Sequence, residues 1–168
     1  MKKCIFAGTF DPPTLGHADT ICSAAEIFDE VVVAIMINPQ KNPFFSLEER
    51  REMLAILCKK IPNVRIVEWE GVAVDLLERE QTNFYVRGIR NTVDLEYENA
   101  AYFASRKLND KMVTIYLPAK QELMHISSTL VKNSIKFGKP IQDCVGKDVA
   151  EYIEKLLKER TEQCLKSN

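Results

Sequence analysis

The stretch Gly8-Thr9-Phe10-Asp11-Pro12-Pro13-Thr14-Leu15-Gly16-His17 lies between a short apolar run and an amphipathic helical pattern. Its glycines and prolines predict a turn after a first strand, so that Gly16-His17 falls at the start of the next helix. The first amides of a helix lack partners and lie at the positive end of the macrodipole, where they can hold phosphate. His17 adds a side-chain donor, and a positive charge if it is protonated. The stretch therefore predicts an anion site at a strand-to-helix turn.

Length and composition are those of one globular domain. The chain has 168 residues, is 46% hydrophobic, and balances 23 Lys and Arg against 24 Asp and Glu, which argues against a nucleic-acid binder. No apolar run approaches the roughly 20 residues of a membrane span, and the N-terminus does not resemble a signal peptide. The five scattered cysteines form no C-x-x-C pair, which favours core thiols in a reducing compartment. We therefore expect a cytoplasmic protein that binds neither nucleic acid nor membrane.

Short β-branched runs alternate with helical periodicity along the chain. Strands are predicted at 3–7, 31–37, 64–69, 83–87 and 112–117. Helices are predicted around 18–28, at 46–59 behind a capping box, and at 73–80, 94–108, 127–137 and 149–160. This alternation predicts an α/β fold, a single Rossmann-like dinucleotide-binding domain with a five-stranded parallel sheet flanked by helices.

Two further expectations concern the predicted helices. The helix over 94–108 is expected to be buried through Tyr97, Ala100, Ala101, Ala104 and Leu108. The domain is expected to span residues 1–160, with 161–168 as a flexible tail.

Groups that bind phosphate follow four of the predicted strands. Open α/β sheets bind ligands beyond the carboxyl ends of their strands. Those positions hold Thr9, Phe10 and His17, then Lys41, then Arg87-Gly88-Ile89-Arg90, and finally Ser127-Ser128-Thr129. We therefore expect a cationic ligand site within a near-neutral protein.

Structural roles are the alternative for several of these residues. Arg87 and Arg90 could be ion-pair partners of Asp94 or Glu96, and the two serines could only cap a helix. Lys41 could be one exposed lysine among many, Glu98 an ordinary exposed helix residue, and His125 a surface or packing residue. Asp11 is expected to serve the proline-containing turn rather than a magnesium ion.

Together these motifs carry a family resemblance. The segments are Gly8-Thr9-Phe10-Asp11-Pro12 with Thr14-Leu15-Gly16-His17, Lys41, Arg87-Gly88-Ile89-Arg90, Glu96-Tyr97-Glu98 and Ile126-Ser127-Ser128-Thr129. In order and spacing they resemble the nucleotidyltransferase superfamily with its T/H-x-G-H motif, and most closely the bacterial phosphopantetheine adenylyltransferases. The chain departs from that family at Leu15, where asparagine is common, at Leu123, where an aromatic residue is frequent, and at Thr129, which replaces a third serine.

The resemblance implies adenylyl transfer from ATP to 4'-phosphopantetheine, giving dephospho-coenzyme A and pyrophosphate by direct in-line attack of the acceptor phosphate. It implies catalytic roles for His17, Lys41 and Arg90. The implied ATP contacts are Thr9, Phe10, His17, Gly88, Ile89, Arg90, Glu98, Leu123, Met124, His125, Ile126, Ser127, Ser128 and Thr129. The implied acceptor contacts are Thr9, Lys41, Ala73, Val74 and Arg87. Mg²⁺ bound with ATP, a homohexamer and feedback by coenzyme A are implied in the same way.

Two other functions stay open at this point. The acceptor could instead be nicotinamide mononucleotide or a phosphorylated alcohol, as in other nucleotidyltransferases. The domain could also be a nucleotide-binding module that has lost turnover, although His17, Lys41, Arg87 and Arg90 together argue against this.

Overall fold

The sheet has five parallel strands. The computed structural model describes residues 1–40 and 42–166. The strands are β1 (Lys3–Gly8), β2 (Glu30–Ile37), β3 (Val64–Glu70), β4 (Phe84–Ile89) and β5 (Val113–Pro118), in the order β3-β2-β1-β4-β5. Every neighbouring pair is parallel. The predicted α/β class with a five-stranded parallel sheet is therefore confirmed.

Helices fill the connections between the strands. They are α1 (Leu15–Ile27), α2 (Leu47–Cys58), α3 (Ala73–Arg79), α4 (Thr92–Arg106), a 3-10 turn (Gln121–Leu123), α5 (Ser128–Lys136), α6 (Gln142–Val145) and α7 (Lys147–Lys166). The 3-10 turn and α6 were not predicted, because elements of three or four residues are too short to show a helical period. Helix α7 continues past its predicted end at residue 160 and reaches Lys166.

The strand order places a crevice at one edge of the sheet. β1 is paired on one side with β2 and on the other with β4, so Phe6 lies opposite both Val33 and Val86. The chain leaves β1 towards β2 but later returns to its other side as β4. In such sheets the ligand site lies beyond the carboxyl ends of the strands at this reversal. The crevice is therefore expected beyond Gly8 and Ile89.

Apolar side chains of the sheet pack into two layers. Phe6 and Val33 face one side, where they join Ile21 of α1 and Leu54 of α2. The alternate strand residues, among them Ile5 and Val32, face the other side. Val74 and Leu77 of α3 cover them there. A third cluster joins α2 to α5, α6 and α7. These layers hold the strand ends, and the loops that follow them, at fixed positions.

Helix α4 contradicts the predicted burial. Tyr97, Ala100, Ala101, Ala104 and Leu108 are all exposed, and no residue of α4 is buried. The side that meets the sheet is polar. The exposed fraction of Tyr97 is 74%, and that of Leu108 is 68%.

The cause lies on β4 and β5. Arg87 and Arg90 ion-pair with Glu98 and Asp94 of α4. The hydroxyl of Tyr116 donates to Asn99 Oδ1 at 3.0 Å. Burying an unpaired guanidinium costs more free energy than exposing alanines and a tyrosine, so α4 turns its acidic side towards the sheet. The helical period identified the apolar face correctly but not the surface that it would meet.

Gly88 allows a close crossing of α1 over β4, and its replacement is a test of that crossing. A Cβ at Gly88 would lie 2.5 Å from Thr20 Oγ1, which donates to Gly16 O at 3.1 Å. We expect Gly88→Ala to lower the free energy of unfolding by about 1–3 kcal/mol, because strand or helix must shift. Urea denaturation measures this loss. Thr20→Ala removes the clashing atom, so the double variant should lose less than the sum of the two single losses. Additive losses would contradict the crossing.

Candidate active site

A cavity of about 1180 Å³ lies at the predicted crevice. Its wall brings together most of the residues predicted from the strand ends or implied by the family resemblance: Thr9, Phe10, His17, Arg87, Gly88, Arg90, Glu98, Ile126, Ser127, Ser128 and Thr129. Lys41 lies outside the described residues, although its sequence neighbour Asn42 lines the wall. The wall does not include Ile89, Leu123, Met124, His125, Ala73 or Val74.

The position of Val74 limits its predicted role. Its side chain is 4% exposed and packs in the core layer under α3. Any contact with an acceptor at this position would therefore come from the backbone.

The β1–α1 turn is shaped by a glycine and a strained phenylalanine. Phe10 has a positive φ of 50° and is 2% exposed. Its ring meets those of Phe6 and His17 edge-on, with centroids 5.6 and 5.0 Å away. A Cβ on Gly8 would lie 3.1 Å from the Phe10 ring. Glycine at this position therefore lets the ring fold under the end of β1, where it supports His17.

His17 is held as a neutral hydrogen-bond donor. The backbone amide of Thr14 donates to His17 Nδ1 at 2.9 Å, so the ring proton is carried by Nε2. Burial lowers the pKa of His17 to about 4, and the charges of Arg87 and Arg90 act in the same direction. The sequence left the charge of this ring open. The structure makes it an uncharged Nε2–H donor at neutral pH.

Arg87 and Arg90 are oriented by ion pairs. Arg87 donates through Nε to Glu98 Oε2 at 2.8 Å and through Nη1 to the Ala7 carbonyl at 2.6 Å. Its partner is thus Glu98, not the Glu96 or Asp94 that the sequence suggested. The predicted ATP ligand Glu98 is consequently engaged by the predicted acceptor ligand Arg87.

The second arginine joins two walls of the cavity. Arg90 donates to both Asp94 oxygens, at 2.9 and 3.2 Å, and to the Ile126 carbonyl at 3.2 Å. Hydrogen bonding to Arg90 keeps the pKa of Asp94 below its usual range. These three bonds use three of the five guanidinium N–H donors. The arginine therefore fixes the loop before α5 and still has N–H groups for a ligand.

The start of α5 forms a further wall. Ser127 caps the helix, because its Oγ accepts from the Leu130 amide at 3.1 Å. Ser128 Oγ donates to the Pro12 carbonyl at 2.8 Å, which ties the helix to the β1–α1 turn. Both hydroxyls thus have structural partners, as the alternative interpretation expected, while the helix start itself faces the cavity.

The described wall is balanced in charge rather than cationic. Its four cations are Arg50, Arg87, Arg90 and Lys132, and its four carboxylates are Asp11, Glu70, Asp94 and Glu98. The expected excess of positive charge is therefore absent from the part of the wall that the structure describes. Glu98 and Asp94 hold Arg87 and Arg90 in place before any ligand arrives, which lowers the reorganisation that binding requires.

Two cavity cations were missed in the sequence. Lys132 follows Ser128 by one helical turn, and this i, i+4 spacing could have placed it on the same face. Arg50 is 4% exposed within α2, and no periodic or motif signal distinguishes it from its charged neighbours.

Comparisons with known proteins agree with this geometry. Residues 5–134 match the family described as cytidylyltransferase-like. A phosphopantetheine adenylyltransferase of Natranaerobius thermophilus is 38% identical over 91% of this chain and 94% of its own length. One of Symbiobacterium thermophilum is 41% identical over 86% and 90%. A crystal structure described as a candidate nicotinate-nucleotide adenylyltransferase of Vibrio parahaemolyticus has a TM-score of 0.73, with 24% identity over 92% and 93% of the two chains, and shows the shared fold.

The fold, the cavity at the strand reversal and the family match define a nucleotidyltransferase enzyme of the cytidylyltransferase-like class. Within that class, the chain belongs to the phosphopantetheine adenylyltransferase family.

The described residues contain neither a metal-binding cluster nor a membrane-spanning helix. No group of three or more His, Cys, Asp and Glu side chains in residues 1–40 and 42–166 is arranged to hold a metal ion. No helix in this part of the chain combines the length and apolar character needed to cross a membrane.

The state of His17 can be tested by ¹⁵N NMR of protein labelled at its two histidines, with His125→Asn assigning the signals. We expect a neutral ring protonated at Nε2 at pH 7 and titration near pH 4. The unfolded chain takes up a proton near pH 6.5 and the folded site only near 4, so this group should make the fold less stable as the pH falls through that window. An imidazolium at pH 7, or an Nδ1–H tautomer, would contradict the assignment.

Proposed function

We propose that the protein transfers the adenylyl group of ATP to 4'-phosphopantetheine, forming dephospho-coenzyme A and pyrophosphate. The observation that carries this proposal is the cavity of about 1180 Å³ in which the T-x-G-H turn, Arg87, Arg90 and the α5 start converge. The acceptor supplies its own phosphate as nucleophile. The protein therefore has only to align two phosphorylated substrates and to stabilise charge at the α-phosphorus.

His17 acts on the α-phosphate. Its Nε2–H donates a hydrogen bond to a non-bridging oxygen as charge develops in the transition state. The neutral ring keeps this proton and does not transfer it to the substrate. The backbone amide of Phe10 and the hydroxyl of Thr9 position the reacting phosphates. Arg90 and the α5 start hold the phosphates of ATP, and the second N–H groups of Arg90 Nη1 and Nη2 remain for this contact.

The acceptor binds on the other side of the cavity. Arg87 and Lys41 hold its phosphate, and the arm extends towards Gly71 and the start of α3. Glu98 keeps Arg87 in place and contacts the nucleotide. The remaining predicted ATP contacts, Gly88, Ile89 and the segment 123–129, surround the base and the triphosphate.

Magnesium enters as part of the substrate MgATP. The described residues offer no grouped ligands for a resident ion, and both oxygens of Asp11 already accept backbone amides. The ion supplies positive charge to the pyrophosphate leaving group. The near-neutral wall makes this charge important, because the paired arginines are partly compensated by their own carboxylates.

Three further properties belong to the same proposal. The enzyme works in the cytoplasm and is inhibited by coenzyme A, which shares the pantetheine arm of the acceptor. It assembles as a homohexamer. Support for assembly comes from exposed apolar residues of α4 and the turn that follows it, where Tyr97, Phe103 and Leu108 are each 65% exposed or more, since exposed apolar groups commonly mark protein contacts.

Turnover with MgATP and 4'-phosphopantetheine is the direct test, measured as pyrophosphate and dephospho-coenzyme A formed in equal amounts. We expect His17→Ala to lower kcat by about 10²–10³, the effect of losing one oxyanion donor. His17→Gln places an amide N–H near the lost Nε2–H and should recover part of the rate. Equal rates for all three proteins would exclude the assigned role.

The acceptor is tested in the same assay. Nicotinamide mononucleotide should give no turnover, and CTP should not replace ATP. A higher kcat/KM with nicotinamide mononucleotide would replace the proposed acceptor. Tight binding of ATP with no turnover of any acceptor would favour a nucleotide-binding module.

Assembly is tested by sedimentation of a Tyr97→Asp variant. A buried, unpaired carboxylate destabilises an apolar contact, so the variant should lose the hexamer mass. Lys155→Asp on the exposed side of α7 is the matched control and should keep that mass. A monomeric wild-type protein, or a Tyr97→Asp hexamer, would contradict the proposed contact.

A further inference from the structure

Asp11 makes contacts that its proline-containing turn does not require. Its carboxylate is 6% exposed, and each oxygen accepts a different backbone amide. Oδ2 accepts from Phe44 at 2.9 Å and Oδ1 from Phe45 at 2.9 Å. Both amides belong to the β2–α2 loop (residues 38–46), more than thirty residues away along the chain.

A buried arginine joins the same two segments. Arg50 donates through Nη1 to the Thr9 carbonyl at 2.9 Å and through Nε to the Ser46 carbonyl at 3.3 Å. Residues 42–45 make no backbone-to-backbone hydrogen bond within the described part of the chain. Side chains of Asp11 and Arg160 therefore supply the polar contacts that hold the backbone of Phe44 and Phe45. The backbone of Ser46 is held by the side chains of Glu49 and Arg50.

The segment held in this way directly follows part of the active-site wall. Asn42 and Pro43 line the cavity and directly precede Phe44. In sequence, Asn42 follows Lys41, to which the proposed function gives the acceptor phosphate. A shift of the amides held by Asp11 would therefore displace the acceptor side of the wall and leave the α5 side in place.

We propose that Asp11 is a positioning residue for acceptor binding, which it serves by fixing the β2–α2 loop against the β1–α1 turn. The inference rests on the proposed function, because that function assigns the loop to the acceptor. The carboxylate does not help binding through its charge, since a negative group in the wall repels a phosphate. Lys132 Nζ, 3.5 Å from Asp11 Oδ2, offsets only part of that repulsion.

The Asp11→Asn variant separates the effect of the carboxylate's charge from the effect of its hydrogen bonds to the β2–α2 loop. An asparagine has one acceptor oxygen and would turn an NH₂ group towards the second amide, so one contact becomes a clash of donors. Loss of the negative charge alone would lower the KM for the acceptor. Loss of the loop position would raise it.

We expect the KM for 4'-phosphopantetheine to rise about tenfold or more, as the loss of a hydrogen bond to a buried charge implies. The KM for MgATP should change by less than about twofold, within the scatter of an unrelated surface change. A lower acceptor KM, or an equal change for both substrates, overturns the proposal.

Asp29→Asn is the matched control at the opposite end of the sheet. Asp29 Oδ2 accepts from the Lys2 amide at 2.6 Å, and the residue is not part of the cavity wall. This variant also replaces a carboxylate that accepts a backbone amide, but it should leave the ratio of the two KM values unchanged. If it raises the acceptor KM as Asp11→Asn does, general loosening explains both results and the proposal fails.

A second pair of variants keeps the test open if Asp11→Asn does not fold. Phe44→Pro removes one amide donor and leaves Asp11 intact, whereas Phe44→Ala keeps the amide and loses only the ring. The proline variant should have the higher acceptor KM. Equal values for the two variants overturn the proposal.

Failure of the proposed function gives a different result. A wild-type protein that does not turn over 4'-phosphopantetheine refutes the function but leaves the loop contact measurable without substrate. Hydrogen exchange of the Phe45 amide should be faster in Asp11→Asn, or in Phe44→Pro, than in wild type. Unchanged exchange overturns the positioning role whatever the substrate.

Discussion

Parallel pairing of β1 with both β2 and β4 is the constraint on which the site depends. It brings the carboxyl ends of three strands to one edge, so the loops that follow them must share one crevice. The buried layers on both faces prevent the strands from sliding, because a shift of one residue would turn apolar side chains to the wrong side. The T-x-G-H turn, Arg87 and the β2–α2 loop consequently lie beside one another. Contacts between them, such as those of Asp11 with the β2–α2 loop, then fix their positions.

Ion pairs then fix the orientation of the arginine side chains and of helix α4. Each β4 arginine is held by a carboxylate of α4, so the guanidinium groups have defined orientations before a ligand binds. The same demand turns the acidic side of α4 inward and leaves its apolar side exposed. Ligand binding and the exposed α4 surface therefore have a common cause in the charges of Arg87 and Arg90. The described wall has four cations and four carboxylates. Under the proposed function, the metal carried by ATP would therefore supply positive charge that the wall itself does not have in excess.

The strands and all but the shortest helices could be predicted from sequence, because β-branched runs and the helical period report local geometry directly. Strand order was not needed to locate the site, since the carboxyl ends of parallel strands share one edge. The orientation of α4 could not be predicted: its period marks Tyr97 and Ala101 as apolar but carries no information on Arg87 across the interface.

For the candidate site, too, the sequence indicated the residues that stand in motifs but not the contacts formed in the folded chain. His17 and the β4 arginines stand in motifs and were found, whereas Arg50 acts through tertiary contacts with Thr9 and Ser46 that no local pattern records. The protonation of His17 depends on the Thr14 amide and on burial, and both become visible only in three dimensions. The role of Asp11 was predicted as local, but its carboxylate in fact reaches Phe44 and Phe45.

The central claim is that the acceptor phosphate displaces pyrophosphate directly, with the protein aligning and stabilising but forming no bond to phosphorus. The stereochemistry at the α-phosphorus tests this most directly. A single diastereomer of ATP with sulfur at the α position would be converted to the dephospho-coenzyme A phosphorothioate, and its configuration determined by ³¹P NMR. One in-line displacement inverts the configuration, which is the predicted result. Retention would require two displacements through a covalent enzyme intermediate and would contradict the account.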